Sequence, residues 1–336
     1  MSLEEKSVER SPCGETSTKR SPLEKRPVLI SRREEEFGTV VHKRDIPEAD
    51  WAKGDLASLI GTGCHLSGRQ KNAVITEVRE ETPTIRTFFF DTDLRPSPGQ
   101  YLMVWVRGVD EIPMSFSYRD GITVQSVGEA TEALFRLGGG DSVGLRGPLG
   151  NGFSLSLASN SEDPISEDPI SVGHILLIGG GVGSAPLAFL GEVAYGRGAE
   201  VTSLMGFRCR EDVIFEERFE GIGDLIITTD DGSFGIPGRA SAGLDRLDLG
   251  DFDQIYICGP ELMMLDVIKR CHGFLEKIQA SINRYIKCGI GVCGSCCLDP
   301  SGLRVCADGP VFRADVLVKS ELGRYRRGAS GEREEW

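Results

Sequence analysis

Half of the ten cysteines of this chain fall within nineteen residues, between Cys288 and Cys306. Four of these five follow the spacing C-x4-C-x2-C-x9-C, namely Cys288, Cys293, Cys296 and Cys306. Plant-type [2Fe–2S] sites bind their two irons with thiolates at the C-x4-C-x2-C spacing, whereas structural zinc sites more often use two C-x2-C pairs. We therefore predict a [2Fe–2S] cluster on these four thiols, with zinc as the alternative and Cys297 as a bystander.

The segment around these cysteines is rich in glycine and too short to bury a core of its own. A bound inorganic centre would have to organise it, because the free energy of binding the metal then replaces that of a hydrophobic core. Gly289, Gly291 and Gly294 alternate with the first three candidate ligands. Without Cβ atoms they allow the backbone to wrap an anionic cluster closely, with N–H groups directed at sulfur.

The charge of the chain limits its partners. Its 336 residues include 38 Lys and Arg against 51 Asp and Glu, which gives a formal charge of −13. A surface of that sign repels phosphate backbones, and no apolar run approaches the roughly 20 residues that cross a bilayer. The amino terminus also lacks the basic start and apolar stretch of a signal peptide. We expect a cytoplasmic protein that binds neither nucleic acid nor membrane.

Composition divides the chain into six parts. Residues 1–70 are predicted to be mostly disordered, since the first 36 carry eight basic and eight acidic side chains with little apolar periodicity. Short β-rich runs predict an antiparallel barrel over 71–156, followed by a linker at 157–172 with the duplicated sequence SEDPI. Alternating strands and helical stretches predict a parallel α/β nucleotide-binding domain over 173–280. The cluster region then spans 281–315, and the chain ends in a polar tail, 316–336.

The individual strands follow from short runs of β-branched and aromatic residues. In the barrel they are predicted at 73–78, 85–90, 100–106, 122–127 and 142–146, and in the nucleotide domain at 174–178, 200–205, 225–228 and 254–258. Two barrel segments, Ile112–Ser117 and Gly147–Phe153, have the residues of turns and are predicted to be bends. Taken alone, these two segments assign no ligand.

A glycine-rich turn follows the first strand of the predicted nucleotide domain. Gly179, Gly180, Gly181 and Gly183 stand between a predicted strand and a predicted helix, where glycines let a backbone approach a pyrophosphate at a helix N-terminus. The sequence departs from G-x-G-x-x-G, because Ser184 takes the place of the third glycine. A nucleotide site is predicted, with a plain structural turn as the alternative.

The chain resembles the electron-transfer subunits of NAD-linked dihydroorotate dehydrogenases in the order of its predicted parts. These are a barrel, then a nucleotide domain with a Cys-Gly-Pro strand end, then a carboxy-terminal [2Fe–2S] loop. These subunits belong to the ferredoxin reductase superfamily. The resemblance covers about residues 72–312 and is carried by Gly147–Phe153, Gly179–Leu187, Gly206–Arg208, Asp230–Gly235, Cys258–Pro260, Cys288–Cys296 and Val305–Phe312.

The resemblance implies FAD at the barrel and NAD at the α/β domain. The positions implied at the flavin are Ile112, Pro113, Met114, Ser115, Thr123, Val124, Gln125, Ala130 and Thr131. Cys258 is implied near the nicotinamide ring, with a buried structural cysteine as the alternative, and Arg208 leaves NADP open beside NAD. The family motif reads Arg-Pro-x-Ser, so Ile112 replaces an arginine that would face the flavin phosphates.

The resemblance also implies a function in pyrimidine biosynthesis. Electrons would leave dihydroorotate at an FMN-containing catalytic subunit, pass singly through the cluster, collect on FAD and reach NAD+ as a hydride. A flavin is needed between the two, because the cluster carries one electron and nicotinamide takes two. The two kinds of subunit would form a heterotetramer. The alternatives are a reductase subunit of a sulfhydrogenase or of an NADPH–ferredoxin complex, and a non-catalytic iron–sulfur sensor or scaffold.

Overall fold

The computed structural model describes residues 69–155 and 173–335. The predictions of a disordered extension up to residue 68 and of a linker at 157–172 fall outside this range. The described residues form two large sheets and a carboxy-terminal loop region, in agreement with the predicted fold class. The longest of the described helices has 13 residues, and no described helix combines the length and apolarity needed to cross a bilayer.

The first sheet is antiparallel throughout and has the strand order β4-β3-β6-β1-β2-β5. A β-bridge between Phe116 and Ile122 joins its two edges, so that the sheet curls into a barrel around an apolar core. The strands are β1 (Lys71–Thr82), β2 (Ile85–Phe90), β3 (Tyr101–Val106), β4 (Asp110–Ser115), β5 (Gly121–Gln125) and β6 (Ser142–Leu149), with helix α1 (Glu129–Phe135) between β5 and β6.

Strand β4 corrects the prediction of a bend at Ile112–Ser117. Residues Asp110–Ser115 pair with β3 along their whole length, and Pro113 is the partner of Met103. Pro113 has no backbone N–H and cannot donate a hydrogen bond to a neighbouring strand. Strand β4 lies at the edge of the sheet, where a missing donor on the outer side costs no ladder hydrogen bond.

The second sheet has the order β10-β9-β8-β7-β11-β12-β15, parallel except for the last strand. Its strands are β7 (His174–Gly180), β8 (Glu200–Phe207), β9 (Asp224–Thr229), β10 (Ile236–Pro237), β11 (Gln254–Cys258) and β12 (Ile278–Ser281), and after the short hairpin β13 (Cys297–Leu298) and β14 (Leu303–Arg304) comes β15 (Val311–Arg313). The chain leaves β7 toward β8 and later returns to its other side as β11. The ends of β7 and β11 therefore form the switch point at which such sheets bind ligands.

Helices connect the parallel strands and cover the sheet. They are α2 (Ser184–Gly196), α3 (Glu216–Glu220), α4 (Ala240–Gly243) and α5 (Glu261–Arg270), and the carboxy-terminal region adds α6 (Val305–Asp308) and α7 (Ala314–Leu317). Short 3-10 turns lie at Gly181–Gly183, Arg210–Asp212, Leu244–Arg246, Leu249–Asp251 and His272–Lys277. Helix α2 buries most of its length against both β7 and β8 because it is apolar on nearly every face.

The carboxy-terminal residues are not the polar tail that composition predicts. Leu317, Ser320, Glu321 and Leu322 are buried, and a hairpin of β16 (Tyr325–Arg327) and β17 (Arg333–Glu335) follows them. The prediction was wrong because Glu321 lies inside the protein, where it binds the guanidinium of Arg284. The end of the described chain is therefore part of the folded body.

Candidate functional site

The four predicted cluster ligands lie in and around the loop between β12 and β15. Their sulfur atoms accept hydrogen bonds from the loop backbone: Gly291 N to Cys306 Sγ (3.1 Å), Val292 N to Cys288 Sγ (3.4 Å) and Cys306 N to Cys296 Sγ (3.4 Å). Gly289, Gly291 and Gly294 all have positive φ, between 67° and 76°, which lets the chain turn around the sulfurs. Such N–H donors stabilise thiolates, the form that binds iron.

The nearest thiol neighbours form two pairs that are close to each other. Cys288 interacts with Cys293, and Cys306 interacts most strongly with Cys296 and also with Cys288. Among the described residues, no three His, Cys, Asp or Glu side chains are gathered closely enough to hold a single metal ion. Two pairs of thiols fit a centre with two irons, each of which takes two thiolates.

The protonation of these thiols follows from their surroundings. Burial alone would raise the pKa of Cys288, but the backbone N–H groups of Cys293, Ile290 and Val292 outweigh it and lower the pKa to about 6. Burial and the neighbouring Cys296 thiol raise the pKa of Cys306 to about 12. At neutral pH the Cys288 thiol is therefore mostly ionised, and binding of a cluster would release a proton from Cys306.

Three barrel residues that the sequence analysis did not single out hold this loop. The hydroxyl of Tyr101 donates to the carbonyl oxygens of Gly289 (3.2 Å) and Cys306 (3.0 Å). Arg146 donates from Nη1 to the carbonyl of Cys288 (2.9 Å) and forms a two-point ion pair with Glu111. No local sequence pattern marks these residues, since their partners lie at least 142 positions away along the chain, apart from Glu111, which is 35 residues from Arg146.

The predicted nucleotide loop lies at the switch point of the parallel sheet. A Cβ atom at Gly183 would come within 2.6 Å of Gly259 Cα, and one at Gly180 within 2.6 Å of Met263 Sδ. Gly181 instead has a φ of +53° and open space where its Cβ would stand. The outer glycines therefore allow close packing against the Cys258–Pro260 turn, while Gly181 leaves room for a ligand beside the backbone.

Replacing Gly183 with alanine should disrupt this switch point. The new Cβ would overlap the backbone of Cys258 and Gly259, which cannot move aside as a flexible side chain could. We expect a loss of about 1–3 kcal/mol in the free energy of unfolding and a raised KM for NADH in a dye-reduction assay. Gly196→Ala is the matched control, because nothing lies within 4 Å of its Cβ position; equal effects of both variants would contradict the prediction.

Cys258 ends β11 at the same edge of the sheet, paired with Gly179 and Ser281 of the neighbouring strands. Burial raises the pKa of its thiol to about 12, despite a hydrogen bond with Ser281 that lowers it. The thiol is therefore protonated at neutral pH and does not serve as a nucleophile. Its contact with nicotinamide stays a prediction.

The predicted flavin residues lie on the edge strand β4, on β5 and at the start of α1. Ile112, Pro113, Met114 and Ser115 are all half-buried on β4, and within the described part of the chain the Ser115 hydroxyl makes no hydrogen bond. A half-exposed apolar strip with a free hydroxyl fits a flat, mostly apolar ring that carries polar edges. The described residues thus suit a flavin at β4.

The remaining predicted flavin positions differ in their burial and in their hydrogen bonds. Val124 is 1% exposed and its side chain belongs to the barrel core, whereas Gln125 and Ala130 are half-exposed. Thr123 is buried and shares hydrogen bonds with Thr87 and Ser117. Thr131 Oγ1 accepts from the backbone N–H of Val127 and Gly128 and so holds the start of α1. Their role at a flavin stays a prediction.

The cluster region matches the family described as the iron-sulfur cluster binding domain of dihydroorotate dehydrogenase B, over residues 283–318. Among solved structures, an NADH-dependent reduced ferredoxin-NADP oxidoreductase is similar over 74% of this chain and 91% of its own, with a TM-score of 0.63 and 26% identity. A ferredoxin reductase of carbazole 1,9a-dioxygenase shares the fold, with a TM-score of 0.52 and 19% identity over 63% of this chain and 68% of its own.

Similar whole sequences extend the match beyond the cluster loop. A probable dihydroorotate dehydrogenase B (NAD(+)), electron transfer subunit, of Methanocella arvoryzae is 54% identical over 271 residues, which are 80% of this chain and 99% of the relative. The protein of the same description from Methanocaldococcus jannaschii is 41% identical over 77% of this chain and 96% of its own. Relatives this similar over nearly their full length show that the chain belongs to the family of electron transfer subunits of NAD-dependent dihydroorotate dehydrogenase B.

Proposed function

We propose that this chain receives electrons from a separate, FMN-containing catalytic subunit that oxidises dihydroorotate, and delivers them to NAD+. The oxidation of one dihydroorotate to orotate releases two electrons and two protons, and NAD+ takes up both electrons with one proton. In this proposal Cys288, Cys293, Cys296 and Cys306 hold a [2Fe–2S] cluster, and β4, β5 and α1 hold FAD. When bound, the cluster supplies single-electron transfer and the flavin interconverts single electrons with the pair carried by a hydride.

One observation carries the proposal: the loop with the four thiols rests directly on β3, the strand that pairs with β4 and its predicted flavin positions. Tyr101, Met103 and Leu149 of the barrel share one buried apolar cluster with Cys296 and Cys306. A zinc site that served only to hold the loop would not need this contact with the strand next to the predicted flavin strand. The arrangement therefore favours electron transfer between two centres over a purely structural metal.

The nucleotide side of the site supports delivery to a dinucleotide. Gly181 offers open space at the end of β7, beside the helix N-terminus of α2 that favours an anionic pyrophosphate. The neutral thiol of Cys258 and the hydroxyl of Ser281 lie at the same edge, on β11 and β12. The residues of this chain thus bind and orient the acceptor, and no side chain is required to abstract a proton.

A catalytic subunit would dock at the exposed face of the cluster loop. Val292 is 79% exposed and Ile290 54% exposed, and both lie within three residues of Cys293, the most exposed of the four thiols. Large exposed apolar side chains in one loop are typical of a protein interface. Since electrons have to cross between subunits, the partner is expected where a ligand of the cluster reaches the surface.

Replacing Val292 with aspartate should weaken this association by about tenfold or more, because a charge would be buried at the centre of an apolar contact. The dissociation constant for the catalytic subunit, measured by light scattering or calorimetry on the cluster-loaded chain, checks the prediction. Tyr195→Asp places the same charge on α2, at another exposed apolar residue, and should leave the affinity unchanged. An unaltered affinity in the Val292 variant would place the partner on another face.

The function is tested by purifying the chain anaerobically with its natural partner. The expected result is a complex of two copies of each subunit, with FMN on the partner and with FAD, two irons and two sulfides on this chain. It should reduce NAD+ when dihydroorotate is added.

The eight described cysteines are free thiols, which supports a reducing, cytoplasmic location.

The structural similarity to a ferredoxin-NADP oxidoreductase favours one second candidate, a reductase subunit that serves ferredoxin. Co-purification with a ferredoxin-dependent enzyme, and no NAD+ reduction by dihydroorotate, would support it in place of our proposal. The 54% identity to a probable dihydroorotate dehydrogenase B subunit is the reason for our choice. A chain that carried only zinc, or no flavin, would exclude both functions.

A further inference from the structure

Tyr101 lies on β3, the neighbour of the predicted flavin strand β4, and contacts two segments that carry predicted cluster ligands. Its hydroxyl lies 3.0 Å from the carbonyl oxygen of Cys306 and 3.2 Å from that of Gly289, the residue after Cys288. The side chain is 3% exposed, in the apolar cluster that also contains Cys296 and Cys306. A buried hydroxyl usually binds one acceptor; this one is shared between the two sides of the cluster loop.

The backbone of Tyr101 pairs with the predicted flavin strand, while its side chain contacts the cluster loop. Tyr101 begins β3 and is the register partner of Ser115 on β4, the predicted flavin residue with a free hydroxyl. A continuous path of one cross-strand pair, one aromatic ring and one hydrogen bond therefore leads from Ser115 to Cys306. The ring spans the distance from the sheet to the loop.

The cluster loop packs closely against the barrel beside Tyr101. Gly289 has a φ of +67°, and a Cβ atom there would come within 3.2 Å of Arg146 Nη1, 3.2 Å of Leu149 Cδ1 and 3.3 Å of Met103 Cγ. Arg146 holds the adjacent carbonyl, that of Cys288. The loop thus sits on β3 and β6 at van der Waals distance.

We propose that Tyr101 is a positioning residue for electron transfer, whose hydroxyl holds the cluster loop in register with the flavin strand and whose ring lies on the path between the two centres. This inference rests on the proposed function. Without the hydroxyl, two carbonyl dipoles near the ligands lose their donor, and their negative ends then disfavour an added electron on the cluster. The barrel would then hold this region through the hydrogen bonds of Arg146 and Asn151.

Tyr101→Phe tests the inference, because it keeps the ring and removes only the hydroxyl. The full chain carrying FAD and cluster is reduced with NADH in a stopped-flow instrument, and the rate at which the cluster becomes reduced is recorded. We expect this rate to fall about tenfold, as suits the loss of one buried hydrogen bond. The midpoint potential of the cluster, from a paramagnetic-resonance titration, should become more negative, while NADH-to-dye reduction through the flavin stays unchanged.

Tyr256→Phe is the matched control, since Tyr256 is also fully buried and donates to a loop carbonyl, that of Ser154, away from the cluster. It should leave rate and potential as in the parent chain. Equal rates and potentials in parent and Tyr101→Phe, or equal changes in both Phe variants, would overturn the inference. A Tyr101→Phe chain that keeps its flavin but binds less iron would support it.

Should the Tyr101 variant not fold, Arg146→Lys tests whether the contact between barrel and cluster loop sets the potential, because it keeps the charge and weakens the neighbouring hydrogen bond, the one to the Cys288 carbonyl. A shifted cluster potential would then support the inference, and an unshifted one would overturn it. Failure of the proposed function is seen separately, as a parent chain that lacks cluster or flavin. Failure of this inference requires a parent chain that holds both.

Discussion

Replacing Arg284 with methionine is expected to lower the free energy of unfolding by about 3–5 kcal/mol, because it leaves two buried carboxylates without their counter-charge. The guanidinium is 1% exposed and lies between Glu261, 5% exposed, and Glu321, 3% exposed. Its Nη2 is 2.9 Å from Glu321 Oε1. This loss of stability is not the free energy that the ion pairs contribute to folding. It is the penalty of leaving two unpaired carboxylates in the protein interior, which solvates charges poorly.

The two carboxylates also accept hydrogen bonds from backbone N–H groups, so the substitution should affect other segments besides the ion pairs. Glu261 accepts from Gly323 N at 2.6 Å, and Glu321 accepts from Asp299 N at 2.8 Å. Glu261 begins α5, directly after the Cys258–Pro260 turn, and Asp299 lies in the hairpin of β13 and β14. Loss of Arg284 should therefore loosen both the nucleotide edge and the cluster loop.

The measurement is denaturant unfolding followed by circular dichroism. Arg313→Met is the matched control, since it removes the same charge from an ion pair whose arginine side chain is 49% exposed, and should cost less than about 1 kcal/mol. Replacing all three charged residues by apolar ones should recover only part of the loss, because Gly323 and Asp299 would then lack their acceptors. Equal stability of the Arg284 and Arg313 variants would contradict this account.

The strands that the sequence predicts best are those whose pattern is local. The runs at 85–90 and 254–258 coincide with β2 and β11, since short runs rich in β-branched and aromatic residues favour strands wherever they fall in the sheet. The sequence does not predict β4, because a proline such as Pro113 indicates a turn unless the strand is known to lie at the edge of a sheet. Only the pairing with β3 makes β4 an edge, and pairing is a long-range property.

The contacts of the cluster region could not be predicted for the same reason. The spacing of the cysteines indicates the type of cluster, but Tyr101 reaches Cys306 over 205 positions of sequence. Strand β15 pairs antiparallel with β12 and makes the cluster region part of the second sheet. Glu321 resembles any surface glutamate until Arg284, 37 residues earlier, is known to face it.

Replacing Cys293 with serine is expected to abolish the visible absorption and the paramagnetic signal of the reduced cluster. Cys293 is the exposed member of the pair it forms with Cys288, so the substitution disturbs no packing and removes only a thiolate ligand, which an oxygen replaces poorly. Transfer from the catalytic subunit should be lost, because its electrons enter through the cluster. NADH-to-dye reduction through the flavin should survive, since it uses only the barrel and the nucleotide edge.

Cys297→Ser is the control that makes this result specific to one sulfur. Cys297 is half-buried, begins β13 and pairs with Arg304, so it belongs to the hairpin and not to the two thiol pairs. Its replacement should leave iron content, spectrum and transfer rate as in the parent chain. If the Cys297 variant were bleached while the Cys293 variant kept its colour, the second iron ligand along the chain would have to be reassigned from Cys293 to Cys297. The hairpin, and not the loop before Cys296, would then supply that ligand, because the two positions lie on opposite sides of Cys296.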